Sequence, residues 1–247
     1  MNTNLKDKIK MCLAVGSLAI IIIMVFIIVV QYQVEGEKNM PYTLSKITII
    51  STAEGDQETK DTENKWNLNV NQNNDIYFFI ENNEESKEQA LLESVTIQNI
   101  EITAKPQKGT VKVYMPNSEE GRTFTYSDDY LVNNTLTYKG AKTSNAKNLE
   151  IGSKGGSCII RFSNTGIGNF ISNDEEEVKH NGELITKIGA TEQEVRFTAN
   201  FDLILQINKI KYRTNITLNL PCEKICEEGT TTKEITDTSK FVFKRIK

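Results

Sequence analysis

One histidine occurs in 247 residues, beside one tryptophan, four prolines and four cysteines. A lone imidazole removes most hydrolase schemes built on histidine and leaves no pair of histidines for a zinc site. Excess positive charge is also missing. Lys and Arg total 29 against 33 Asp and Glu, a formal net charge of −4, which argues against nucleic acid as a main partner. The chain has no HExxH helix, no calcium-loop spacing and no phosphate loop, and no LPxTG-type pentapeptide closes it. No catalytic or cofactor-binding constellation and no metal site rises above background, so the chain reads as a protein that is not an enzyme.

What is present is one long apolar run. Met11 to Val30 carries no charge, and 13 of its 20 residues are Ile, Leu, Val or Phe. At roughly 1.5 Å of rise per residue such a helix covers about 30 Å, the hydrocarbon thickness of a bilayer. Lys6, Lys8 and Lys10 precede it against the single Asp7, so positive charge retained inside puts the amino terminus in the cytoplasm. The expected layout is a cytoplasmic tail over 1–10, a transmembrane helix over 11–31, a linker over 32–42 and an extracellular domain over 43–247, single-pass in the cell membrane. With a net +2 in the tail, the exported part carries −6. A cleaved signal peptide is the rival reading, but its apolar region normally runs 7 to 15 residues. The best cleavage candidate here, Val34-Glu35-Gly36, is flanked by charge. Cys12 lies on the wrong side of the run for a lipoprotein cysteine.

Beyond Pro41 the patterning is that of strands. Ile47 to Ile50 is apolar on both faces, as suits a strand buried from two sides. Residues 53–65 read as a surface loop and Asn71 to Asn74 as a turn between the strands of Trp66–Val70 and Ile76–Ile80. Val95 and Ile97 share one parity and Ile100 and Ile102 the other, which predicts a bulge at Gln98-Asn99. Pro106 to Gly109 is a turn. Residues 139–156, rich in Gly, Ser, Asn and Lys, are either an internal boundary or a long loop within one domain. The clearest pattern follows. From Val195 to Ile207 the apolar residues except Ile204 fall on odd positions, and from Ile210 to Leu220 on even ones. A two-residue turn at Asn208-Lys209 then places Ile207 opposite Ile210, Leu205 opposite Tyr212, Phe201 opposite Ile216 and Phe197 opposite Leu220. Phe241, Phe243 and Ile246 supply a last strand. About ten strands, with only Lys87 to Glu93 as a weak helical candidate outside the membrane, predict an all-β, antiparallel, Ig-like β-sandwich.

Few residues invite a chemical reading. Cys222 and Cys226, four apart after Pro221, could close a disulfide outside the cell or stand as free thiols. Cys158 falls on an inward parity and reads as a small core residue. Asp174, Glu175, Glu176, Glu177 and His180 match no ligand spacing and read as a solvated acidic loop; Gly152, Gly155 and Gly156 read as turn residues. Tyr77 and Phe79 project opposite to Ile76, Phe78 and Ile80, which makes that strand apolar on both faces. They are covered by a loop or second sheet, or they form a contact surface for a partner.

The segment VEGEKNMPYTLSKITIISTAEG at 34–55, placed just after one hydrophobic helix, resembles uncharacterised single-pass membrane proteins of clostridia and related Gram-positive bacteria, as do SNDEEE, LPC and FVFKR further on. The resemblance implies a cell-surface location and brings no activity. The expected role is an interaction or scaffolding component of the cell envelope with a protein partner; the alternative is a carbohydrate-binding or carbohydrate-active surface protein. A sensor has little room for output in ten cytoplasmic residues.

Overall fold

A computed structural model describes residues 3–34, 40–60, 66–83, 90–116, 124–125, 135–142, 149–171 and 183–246. Helix α1 runs Thr3–Val34, longer at both ends than the apolar run. Its stretch Lys10–Ile28 has a mean hydropathy of 3.0 and buries nothing against the rest of the chain. A stretch apolar on all sides and buried against no protein is a candidate membrane span by length and composition.

Two long strands, β1 (Tyr42–Lys60) and β2 (Trp66–Asn82), pair antiparallel from Tyr42↔Asn82 to Lys60↔Trp66. Two expectations give way here. Residues 53–60 are not loop but strand, and Asn71 to Asn74 is not a turn: β2 passes straight through it. The reason is parity. Leu68, Val70, Gln72, Asn74, Ile76, Phe78 and Ile80 all face inward, so the polar tetrad keeps the alternation of its neighbours and swaps apolar contact for hydrogen bonds.

The remaining strands are β3 (Leu92–Ala104), β4 (Thr110–Pro116), β5 (Phe124–Thr125), β6 (Leu136–Gly140), β7 (Leu149–Ile151), β8 (Gly155–Ile171), β9 (Phe197–Ile207), β10 (Ile210–Leu220), β11 (Thr230–Ile235) and β12 (Lys244–Ile246). They form two six-stranded sheets, ordered β11-β1-β2-β8-β4-β5 and β12-β10-β9-β3-β6-β7. The architecture is the expected all-β sandwich behind one amino-terminal helix. Among the described strands, all pairs are antiparallel except β6 with β7. Both sheets combine strands from before and after residues 139–156. The weak helical candidate is overturned at its described end, where Leu92 and Glu93 open β3.

The hairpin of β9 and β10 has the expected register at all four pairs. Its turn residues Asn208 and Lys209 have φ of 47° and 69°, the left-handed pair that lets a two-residue turn match strand twist. In β3 the register against β9 shifts between Gln98 and Glu101, and Asn99 has φ 54°, which is the bulge the parity slip demands.

Between the sheets lies the main core. Phe201 of the second sheet meets Phe78 edge-on at 5.7 Å and stacks on Phe162 at 6.0 Å, joining the two layers at their centre. The lower ends of β1, β2 and β8 run on past the second sheet. There three short helices, α2 (Glu183–Lys187), α3 (Glu192–Val195) and α4 (Ile225–Glu228), cover them and build a second apolar cluster with Leu68, Val70, Ile167, Leu184, Val195 and Ile225. At four or five residues each, they are too short for a periodicity to announce them.

A polar seam separates the two clusters. Asn74 Oδ1 accepts from Ser51 Oγ at 2.7 Å and from Gln72 Nε2 at 2.8 Å; its Nδ2 donates to Gln72 Oε1 and Phe162 O, both at 3.0 Å. Cys222 N donates to Ser51 Oγ at 2.9 Å. Asn164 Nδ2 donates to Lys108 O at 2.9 Å and ties the turn before β4 to this layer. The turn residue facing it must be glycine. Gly109 has φ +90°, and a Cβ there would stand 2.1 Å from Asn164 Oδ1.

Candidate interaction face

The outer face of the first sheet takes its residues from the parity opposite the core. Across the sheet the rows read Lys46, Phe79, Ser157; then Thr48, Tyr77, Ile159; then Ile50, Asp75, Arg161, Tyr114; then Thr52, Asn73, Ser163, Lys112. Tyr77 and Phe79 are half-buried on this face, while Ile76, Phe78 and Ile80 are buried on the other. The two aromatics therefore stand as neighbours on one strand face, as their spacing predicts.

Charges on this face are neutralised locally. Arg161 grips Asp75 with two hydrogen bonds, Nε to Oδ1 and Nη2 to Oδ2, the latter 2.8 Å. Burial opposes the guanidinium charge, but the Asp75 hydrogen bonds and carboxylate, with Glu54 further off, outweigh it and raise Arg161 above its ordinary value. Burial and the Asp75 carboxylate raise the Tyr77 phenol, with Arg161 offsetting part of that. Lys46 Nζ lies 4.8 Å from the Phe79 ring centroid and pairs with Glu234 at 2.8 Å. The hydrogen bond from Lys46 holds the Glu234 carboxyl below its usual range. Below, Asn73 donates to Glu54 Oε2 at 2.7 Å and accepts from Ser163 Oγ. A face whose cations and anions already engage one another offers ring and amide contacts in place of a reactive group.

The Asp75–Arg161 pair and the Asn73 cluster escape sequence reading because their partners lie 86 and 90 residues apart. The signal that could find them is the unbroken parity of β2. Read as a turn, the tetrad hides that Asn73 and Asp75 sit beside Tyr77.

Cys222 and Cys226 are both free thiols in this structure and face different clusters. Cys222 is buried in the main core, with Sγ 3.7 Å from Ile49 O, and Cys226 packs half-buried on the helical cluster. Burial raises both thiols, first among the causes in each case. Cys158 is buried in the main core, as its parity predicts, and burial pushes its thiol up to about 12. Gly155 and Gly156 open β8 with φ of 108° and 155°, and Gly152 lies just before them. Asp174, Glu175, Glu176, Glu177 and His180 lie outside the described residues. Among the described residues no group of three or more His, Cys, Asp and Glu side chains is placed to hold a metal ion.

Comparison with family models, with curated proteins and with solved structures finds no match for this chain.

Proposed function

We propose that this chain is a single-pass membrane protein of the cell envelope, amino terminus inside, whose β-sandwich is displayed outside as an interaction or scaffolding module. The outer face of the first sheet around Tyr77 and Phe79 is its partner surface, and the partner is a protein. One observation carries this reading: a helix of membrane length is joined to a sandwich whose outward sheet face sets Tyr77, Phe79, Ile50 and Ile159 in adjacent rows. A sheet face turned to water alone alternates to polar residues, so an aromatic and aliphatic group there favours contact. The resemblance to single-pass proteins of Gram-positive bacteria agrees with display at a cell surface.

The test is photo-crosslinking in cells, with a benzophenone amino acid in place of Phe79 and, as control, of Thr217 on the other sheet. The expected result is a discrete adduct with a particular envelope protein from position 79 only. Equal or absent crosslinking from both positions refutes the partner surface. A second reading has its own observation, since two neighbouring rings on a β face resemble a platform for a sugar. Retention on purified wall glycan that Tyr77→Ala and Phe79→Ala both abolish would favour it over a protein partner.

A further inference from the structure

One pole of the sandwich is fixed by hydrogen bonds between segments far apart in sequence. Asn83 N donates to Pro41 O at 2.7 Å, and the Tyr42 hydroxyl bonds Ala90 O and Ser153 O at 2.9 and 2.8 Å. Leu92 N donates to Ser153 O at 3.2 Å, and Asn208 N to Leu91 O at 3.2 Å. These bonds gather the start of β1, the end of β2, the starts of β3 and β8 and the β9–β10 turn at one end of the molecule. That end is where the chain arrives from α1. The five residues between Val34 and Met40 can span at most about 20 Å at 3.3 to 3.6 Å each, and α1 comes within 8 Å of β12, which flanks the same end of β10.

Among the described residues, the charge of this pole runs against that of the domain. Lys154, Lys209, Lys211 and Lys244 are all exposed there, with Lys142 close by. Among the described residues the acids here are Glu81 and Glu150, both exposed, and Glu93, which is occupied by Gln206 Nε2 at 2.7 Å and Lys209 N at 3.1 Å. The far pole, capped by the three short helices, exposes Glu183, Glu223, Glu227 and Glu228, of which Glu183 pairs with Lys187 and Glu228 with Lys224. Between Phe79, Asn82 and Lys154 the basic pole also has a groove of about 460 Å³.

We propose that this basic pole docks on the anionic headgroups of the bilayer that α1 crosses, so that the sandwich stands upright with its acidic pole outermost. The inference rests on the membrane-anchor reading above. Lysines on a tether that short stay near the headgroup layer, where their attraction to anionic lipid acts over about a Debye length. An upright domain stands the Tyr77 face perpendicular to the membrane plane, turned sideways toward neighbours in the same bilayer.

The full chain is reconstituted into nanodiscs of phosphatidylcholine alone or mixed with phosphatidylglycerol, and alkaline-carbonate resistance is measured first. A fluorophore is then placed at Asn82→Cys, or at Glu227→Cys on the far pole, with Cys12 and Cys226 as serine, and quenched by headgroup-attached nitroxide. We expect quenching at position 82 to rise about threefold or more with phosphatidylglycerol, to fall as salt is added, and to be unaffected by composition at position 227. The variant carrying Lys154→Glu, Lys209→Glu, Lys211→Glu and Lys244→Glu returns it to the phosphatidylcholine value. Carbonate-resistant insertion with equal quenching in both lipids, or quenching indifferent to salt, overturns the docking and leaves the anchor standing. Failure to insert overturns both.

Discussion

The Tyr138 hydroxyl closes the edge of β8 at Ile159, donating to Ile159 O and accepting from Ile159 N at 3.1 Å. Tyr138 belongs to the second sheet and Ile159 to the first. The β4 ladder on β8 reaches Tyr114↔Arg161, after which β4 turns to pair β5 at Met115↔Thr125. One phenol from the opposite layer thus supplies the donor and acceptor that the next residues of β4 would otherwise provide, and it pins the two sheets together where a strand departs.

Tyr138→Phe keeps the ring and removes only this clamp. Both backbone groups of Ile159 lose their partner in a part-buried place, so we expect a loss of about 1–3 kcal/mol in unfolding free energy. Urea denaturation measures it, and amide exchange at Ile159 rises above that of Ile160 next to it. An unchanged midpoint with unchanged exchange means water replaces the hydroxyl without cost.

How much of this was legible in the chain depends on whether parity survives in plain view. The β9–β10 hairpin is readable because its apolar set switches from odd to even across two residues, and only an even turn keeps Phe197 and Leu220 on one side. The bulge in β3 is readable for the same reason. The tetrad Asn71 to Asn74 obeys the same parity, but Asn and Gln inside a strand carry the composition of a turn. What decides the matter is a set of partners, Ser51 and Phe162, that only folding brings near. Pairs such as Asp75 with Arg161 are invisible for that reason also. The rows around Tyr77 and Phe79 could be half seen: the facing of the two aromatics follows from β2 alone, whereas their neighbours Ile50 and Ile159 come from other strands.

Cys158 sits beside this clamp in the main core, and its burial sets a pH dependence. With its folded value raised to about 12 against about 8.5 to 9 in an unfolded chain, the unfolded state gives up this proton first. Between those values the folded state binds more protons than the unfolded one, so stability falls as pH rises, by up to about 1.4 kcal/mol per pH unit. Below about pH 8 the contribution is complete. Tyr138, raised chiefly by burial and then by Cys158, adds a fall of the same sign above about pH 10. Denaturation at pH 7, 9 and 10.5 should therefore show a steeper alkaline loss in the native chain than in Cys158→Ala, although Cys158→Ala is weaker at pH 7. Parallel curves contradict the assignment.

The seam between the two apolar clusters makes the last case, because Ser51 and Asn74 serve each other and a third group. Ser51 Oγ donates to Asn74 and accepts from Cys222 N; Asn74 in turn satisfies both ends of Gln72. All three side chains are fully buried, so each single loss strands a polar partner out of reach of water. Ser51→Ala and Asn74→Leu should each cost about 1–3 kcal/mol. The double variant should cost less than their sum by roughly 0.5–3 kcal/mol, since the bond between them can be lost only once. Thermal or urea unfolding of the four chains gives the coupling. Additivity within about 0.5 kcal/mol would mean that Ser51 and Asn74 act separately and that the seam is no network.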